Sequence, residues 1–317
     1  MKENMNIPTN IKSVEANRVS DLWCKKLFPQ WCLPPFHGEL LKIIRFGWEV
    51  KADENSIKIA GSWWLWMRNK FIENTITKEA KTNMMKAAIT ATVTERPINL
   101  VTTRSPEFVH SQVEGQGDSS LPRSHKALLK LEELVASSAE SIPTVSTIIL
   151  ADLAIDNLDR IIQVCNLEET IKENLKLLDR MAQKMDLGRF RIMRMSELKH
   201  PLGKLGNLVS NSGEPLVSVS VPFRSLRLVE VATKESQESH QKMFGWTAEQ
   251  SFAHNQRIAI TMGMVGQSIK TMDSQAILIH NESFISRGQL NNLFNDPKDP
   301  LPVICLTDLL ETKAVKR

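Results

Sequence analysis

The chain has 317 residues, with 40 basic against 36 acidic side chains and a formal net charge of +4. Hydrophobic residues make up 42% and charged residues 24%, which excludes a wholly disordered, collagen-like or coiled-coil protein. Tyr is absent, so no phenol serves as acid, base or nucleophile, and the mild charge is not the dense single-sign field of a dedicated nucleic-acid binder.

Residues 1–95 hold six of the seven tryptophans, Trp23, Trp31, Trp48, Trp63, Trp64 and Trp66, and a proline bend at Pro34 and Pro35. Ala, Met and Lys content predicts a helix over 78–92 (KEAKTNMMKAAITAT). No strand–helix alternation is visible here, so this region is expected to form a Trp-rich, mostly helical N-terminal subdomain or cap. The Trp63-Trp64-x-Trp66 cluster has two uses open to it: stacking on a base or sugar, or packing between domains.

From Arg96 the pattern becomes regular. Residues 98–103 (INLVTT) form a short β-branched run bounded by Pro97 and by Arg104, Ser105 and Pro106. A polar loop, 114–120, leads to a helical period at Leu128, Leu131, Leu134 and Val135. Residues 146–151 (STIILA) make a continuous apolar run of the kind buried on both faces of a parallel sheet. Asn166, with Glu169 three residues on, caps a helix whose stripe is Leu167, Ile171, Leu175, Leu178 and Met185, ended by Gly188. Residues 190–195 (FRIMRM) and 216–221 (LVSVSV) alternate as strands. A long helical stretch covers 238–272 with a break at Gly245, then 276–280 (AILIH) reads as a strand, 288–294 as a short helix and 303–306 (VICL) as a last strand. Repeated strand–helix–strand units predict an α/β fold over 96–317: a mainly parallel, Rossmann-like sheet flanked by helices with right-handed crossovers.

Open α/β sheets bind ligands outside the carboxyl ends of their strands. Those ends carry a polar set: Thr102, Thr103, Arg104 and Ser105 after the first strand, Asp152 and Asn157 after the second, Glu197 after the third, and Asn281 and Glu282 after the fifth. Taken singly, each is better explained as turn or cap chemistry. As one rim they mark the candidate site. Asp152, at the end of the most apolar strand, is costly to desolvate without compensation, which fits a catalytic or ligand-holding carboxylate, with Glu197 and Glu282 as its acidic companions. The hydroxyls of Thr102, Thr103 and Ser105 beside Arg104 suit a phosphate or carboxylate, with Asn157 and Asn281 as further substrate contacts. No P-loop is present, and Gly115-x-Gly117 lacks the third glycine of a dinucleotide fingerprint.

On the long helix, His254 and Arg257 follow Gln250 at i+4 and i+7, a face that supplies a general base and an anion clamp or is simply solvated. A basic stretch over 184–204 includes Arg189, Arg191, Arg194 and Lys199. It is the candidate polyanion surface, and RNA its candidate partner. No metal-ligand spacing occurs, and no motif specifies a cofactor. The four cysteines, Cys24, Cys32, Cys165 and Cys305, fit neither a CxxC pair nor a disulfide scaffold, so reduced, packed thiols in a cytoplasmic protein are expected. The opening MKENMNIPTN has no apolar h-region, and the longest apolar run, 148–155, is interrupted by Asp152, so neither secretion nor membrane insertion is expected. These features favour a transferase acting on a phosphate- or nucleotide-activated substrate, possible tRNA linkage included. A non-catalytic protein- or RNA-interaction module is the alternative, and a nucleotide-dependent hydrolase the third reading.

Overall fold

The computed structural model describes residues 13–70, 78–104, 123–150, 153, 190–210, 214–218, 223–280 and 300–305. Its first four helices follow directly from apolar spacing. On α1 (Ser13–Leu27), Ser20, Trp23, Cys24 and Leu27 fall at i, i+3, i+4 and i+7, and all four are buried. The same spacing recurs on α2 (His37–Glu49) with Leu40, Ile43, Ile44 and Gly47. Next come α3 (Glu54–Lys70) and α4 (Lys78–Thr94), the latter burying Ala80, Met84, Met85, Ala87, Ala88, Ile89 and Ala91. Two glycines set how closely these helices approach. A Cβ at Gly47 would lie 2.5 Å from Ile57 Cγ1, and one at Gly61 would lie 2.2 Å from Phe28 Cζ.

The strands that follow are β1 (Ile98–Arg104), β2 (Thr144–Leu150) and β3 (Phe190–Arg194), with α5 (Arg123–Ala139) between the first two. After β3 come a 3-10 turn (Met195–Glu197), a small antiparallel hairpin of β4 (Lys199–His200) and β5 (Gly203–Lys204), and the short α6 (Leu205–Leu208). Two long helices, α7 (Phe223–Phe244) and α8 (Ala248–Met272), precede β6 (Ile277–His280), and β7 (Val303–Cys305) ends the described chain. The main sheet has order β3-β2-β1-β6-β7, with every neighbouring pair parallel. The five runs expected to share one sheet therefore do so, and the α/β class is confirmed. The run at 216–221 differs. Its described part is non-strand chain beside a single antiparallel bridge, Val209 to Pro215.

Period-two alternation divides each strand between two cores. Ile98, Leu100, Ile148, Ile277, Ile279 and Ile304 join the cluster formed with α1–α4 and α5. Val101, Ile149, Leu278 and Val303 join the opposite cluster, with Ala259, Met262, Val265 and Ile269 of α8. Both faces are covered, as an all-parallel sheet requires. Trp63 and Trp64 are fully buried in the first cluster, so packing, not ligand stacking, is their use. A polar relay ties the N-terminal helices to the sheet layer: Trp63 Nε1 donates to Ser138 Oγ at 2.8 Å, Ser138 meets Thr144 Oγ1 at 2.6 Å, and Thr144 donates to Ile142 O at 2.8 Å.

The helical stretch around Gly245 breaks where expected. Gly245 sits at φ +69°, where a side chain is strained, and Thr247 then caps α8. Thr247 Oγ1 accepts from Gln250 N at 3.2 Å while Gln250 Oε1 accepts from Thr247 N at 2.8 Å, a complete capping box. α7 begins at Phe223, upstream of the expected 238, with Val229 and Thr233 buried one turn apart.

Candidate functional site

The strand order places a topological switch between β1 and β6: the chain steps outward from β1 through β2 to β3, then returns to the other side of β1 with β6 and β7. Open α/β sheets in general bind ligands beyond the strand ends at such a point; here the segments that follow β1 and β6, 105–122 and 281–299, lie outside the described residues. The register puts Thr102 beside Ile279 on β6 and Thr103 beside Ile149 on β2. Thr102 is fully buried, and its hydroxyl makes a long 3.5 Å contact with Thr103 O. Thr103 is half-buried, and Arg104 closes the strand. Ser105, Asp152, Asn157, Asn281 and Glu282 lie outside the described residues, as do the capped helix at 166–188 and the short helix at 288–294.

Glu197 is exposed and closes the 3-10 turn that follows β3. Nearby His200 is buried and fully engaged. Leu202 N donates to its Nδ1 at 3.2 Å, so Nε2 carries the proton and donates to Gln267 Oε1 at 2.7 Å. That histidine pins the β4–β5 hairpin to α8.

A helix leading into a strand of a parallel sheet runs antiparallel to it, so the N-terminal half of α8 is carried toward the carboxyl edge. This half holds His254 and Arg257. Arg257 Nη2 donates to His254 Nδ1 at 2.8 Å, which leaves the imidazole proton on Nε2. Arg257 Nη1 also lies 3.8 Å from Glu214 Oε1. Burial, then the Arg257 and His240 charges, push the His254 pKa down to about 4, so the ring is neutral at pH 7. Burial also lowers His240. Around them, Trp246 packs 4.9 Å from the His254 ring, 5.2 Å from His240 and 4.7 Å from Phe244. The result is a neutral imidazole donor, braced by a guanidinium and walled by aromatics.

His240, Trp246 and Glu214 were not among the candidates read from sequence. Their spacing crosses the helix break at Gly245 and a loop, so no single helical period joins them. Gln250, by contrast, shared the His254 face in sequence and is spent on the α8 cap.

Among the described residues, β3 is an edge strand. Arg191 and Lys199 are exposed and Arg194 is half-buried, while Arg189 lies outside the described residues. Phe190 and Ile192 pack toward the α1–α5 core and Met193 toward α8, so alternation puts Arg194 and Arg191 on opposite faces. No helix among the described residues is long and apolar enough to cross a membrane. Among the described residues, no group of three or more His, Cys, Asp or Glu is placed to hold a metal ion.

No protein-family model matches the chain, and no curated protein matches it. Among solved structures, that of a cyclo(L-leucyl-L-phenylalanyl) synthase is similar at 12% identity and a TM-score of 0.30, over 66% of this chain and 89% of that one.

Proposed function

We propose that the chain is a Rossmann-like transferase whose phosphate- or nucleotide-activated substrate sits in the crevice between β1 and β6. The observation that supports this reading is the strand order, which puts the switch point directly beyond Thr102, Thr103 and Arg104. In this reading Thr103, Arg104 and Ser105 hold the anionic group, Asn157 and Asn281 fix the remainder of the substrate, and Asp152 with Glu197 and Glu282 supplies acid–base chemistry. His254 Nε2 donates from the α8 side with Arg257 behind it. The substrate's tRNA linkage and the cytoplasmic setting belong to the same proposal. Equilibrium dialysis of the full chain with ATP, alongside thermal shift, tests it. Saturable binding that weakens at least tenfold in Thr103→Val and in Asp152→Asn, with unliganded melting unchanged, is the expected result. ATP binding that is absent, or indifferent to both substitutions, removes the reading.

A second reading, a polyanion-binding module, is favoured by the exposed Arg191 and Lys199 at the sheet edge. Filter binding of unfractionated tRNA separates the two. A module using this surface, with Arg189 on the Arg191 side of the strand and Arg194 reached around the edge, loses RNA affinity evenly and flattens its salt dependence when these residues become Ala, with ATP binding unaffected.

A further inference from the structure

Cys24 and Cys32 stand apart from the candidate site, in the core of the N-terminal helices. Cys24 lies on the buried stripe of α1 and is fully enclosed, while Cys32 is half-buried in the turn that follows. Their sulfurs are 3.0 Å apart, closer than two unbonded sulfurs ordinarily sit and about 1 Å beyond the S–S bond of about 2.05 Å. The Cys32 thiol also donates toward Phe28 O at 3.1 Å. Backbone bonds from Phe28 N to Cys24 O at 2.8 Å and from Trp31 N to Phe28 O at 2.9 Å hold the intervening turn in place. The two thiols therefore meet because the fold brings them together, not because a mobile side chain wanders.

The surroundings assign the two sulfurs different roles. Burial first, then the hydrogen bond and charge of Cys32 and the charge of Asp21, push the Cys24 thiol up to about 12. A thiol held protonated is a poor first nucleophile. Cys32 is the half-buried one, and the turn that precedes it, through Phe28 and Trp31, lines an open cavity of about 360 Å³ together with Leu65 and Trp66. Of the two, only Cys32 retains surface where a small oxidant can arrive, while Cys24 is enclosed.

We propose that Cys24 and Cys32 form a reversible redox modification site, a dithiol that hydrogen peroxide converts to a disulfide within the α1–α2 region. The Cys32 thiolate attacks one peroxide oxygen, the O–O bond breaks, and the departing hydroxide takes up the thiol proton as water, leaving Cys32 as the sulfenic acid. The Cys24 sulfur then displaces that hydroxyl: the S–S bond forms, the S–O bond breaks, and the Cys24 proton leaves with the hydroxyl as a second water. Two electrons pass from the sulfur pair to peroxide, and a dithiol reductant reverses the change. The modification removes the Cys32 donor from Phe28 O, so it acts directly on the wall of the Trp31–Trp66 cavity. The site stands whether or not the crevice at β1 and β6 binds a nucleotide.

Peptide mapping of the folded full-length chain after peroxide treatment and alkylation tests this. Trypsin cuts after Lys25 and Lys26, so a Cys24–Cys32 disulfide holds fragments 19–25 and 27–42 together until reduction. The expected result is a joined peptide that rises at least tenfold with peroxide, disappears with dithiothreitol, and is absent from Cys32→Ser, in which Cys24 is recovered as an unoxidised thiol. Cys24→Ala gives a second check: Cys32, without its partner, accumulates as sulfenic acid trapped by dimedone. Four results overturn the proposal. These are peroxide treatment that leaves both thiols alkylatable, over-oxidation of Cys32 with no joined peptide, a Cys32 disulfide to Cys165 or Cys305 instead, or formation of the joined peptide only in denaturant.

Discussion

Ser138→Ala isolates the relay between the N-terminal helices and the sheet layer. Thr144 spends its proton on Ile142 O at 2.8 Å, so its oxygen accepts from Ser138, and the Ser138 oxygen in turn accepts from Trp63 Nε1. Every donor in the chain Trp63, Ser138, Thr144, Ile142 is used, and Trp63, Ser138 and Thr144 are all buried. Removing the serine hydroxyl deletes two hydrogen bonds and strands the indole N–H of a residue with no exposed surface. An orphaned buried donor costs about 1–3 kcal/mol, and the second lost bond adds about 1 kcal/mol, so a destabilisation of about 2–4 kcal/mol is expected. Urea unfolding followed by circular dichroism measures it, and a double-mutant cycle with Trp63→Phe apportions it. With the donor already gone, Ser138→Ala should cost less, giving a coupling of about 1–2 kcal/mol. Strict additivity, or a single-mutant cost below about 0.5 kcal/mol, would refute the relay as a stabilising link.

Gly61→Ala drives a methyl into the buried Phe28 ring, 2.2 Å from Cζ, and is expected to cost about 1–3 kcal/mol by urea titration. A cost under 0.5 kcal/mol would mean the ring moves freely. Thr247→Ala removes the serviceable half of the α8 capping box and should cost about 1 kcal/mol in the same assay, with Thr247→Ser restoring most of it. The His254 pKa is depressed in the fold to about 4 from its ordinary 6.5, so between those values the unfolded chain binds a proton that the native ring refuses. Its contribution to stability is complete above pH 6.5 and lost as pH falls toward 4. His240, lowered in the same direction, adds to the slope. His254→Asn should flatten melting temperature against pH over that interval, and an unchanged profile would show that the ring does not govern it.

How much of this was legible in the sequence depends on whether a feature is local. The five sheet strands were readable because β-branched and apolar runs such as 146–151 must be buried on both faces, and that requirement leaves few alternatives to a covered parallel sheet. The break at Gly245 was readable because a single residue carries it. The role of Trp63 and Trp64 was not, because an aromatic cluster looks the same in sequence whether it packs inward or waits for a ligand; only the surrounding α1, α2 and α4 stripes decide. The His254 site was half legible. His254 and Arg257 share one turn, but His240 and Trp246 reach them across the helix break, and Glu214 from a separate loop. The closeness of Cys24 and Cys32 was hidden for the same reason: the chain leaves α1 between them, and no helical spacing relates residue 24 to residue 32.

Burial along β1 divides the work of its polar residues within the proposed site. Asn99 is buried, but its Oδ1 accepts from Thr147 Oγ1 at 2.9 Å, and Ser146 Oγ donates to Leu100 O at 2.9 Å on the same strand pair. These groups repay their desolvation inside the sheet and have no call on a ligand. Thr102 is also fully enclosed, flanked by Ile148 on β2 and Ile279 on β6. Thr103 is the first polar residue of β1 to retain surface, and it is followed at once by Arg104 and the strand's end. In the proposed site, Thr103 is therefore the hydroxyl of β1 that a substrate approaching the switch point from outside meets first. Thr102 serves to carry it there. The two threonines, adjacent and chemically identical in sequence, should separate by experiment. Thr103→Val keeps the branched shape at a partly open position, so it should weaken ATP binding at least tenfold with little change in folding. Thr102→Val acts within the closed sheet, so its effect should register in stability, with ATP affinity retained. The opposite result, ATP binding lost in Thr102→Val and kept in Thr103→Val, would refute this division of roles.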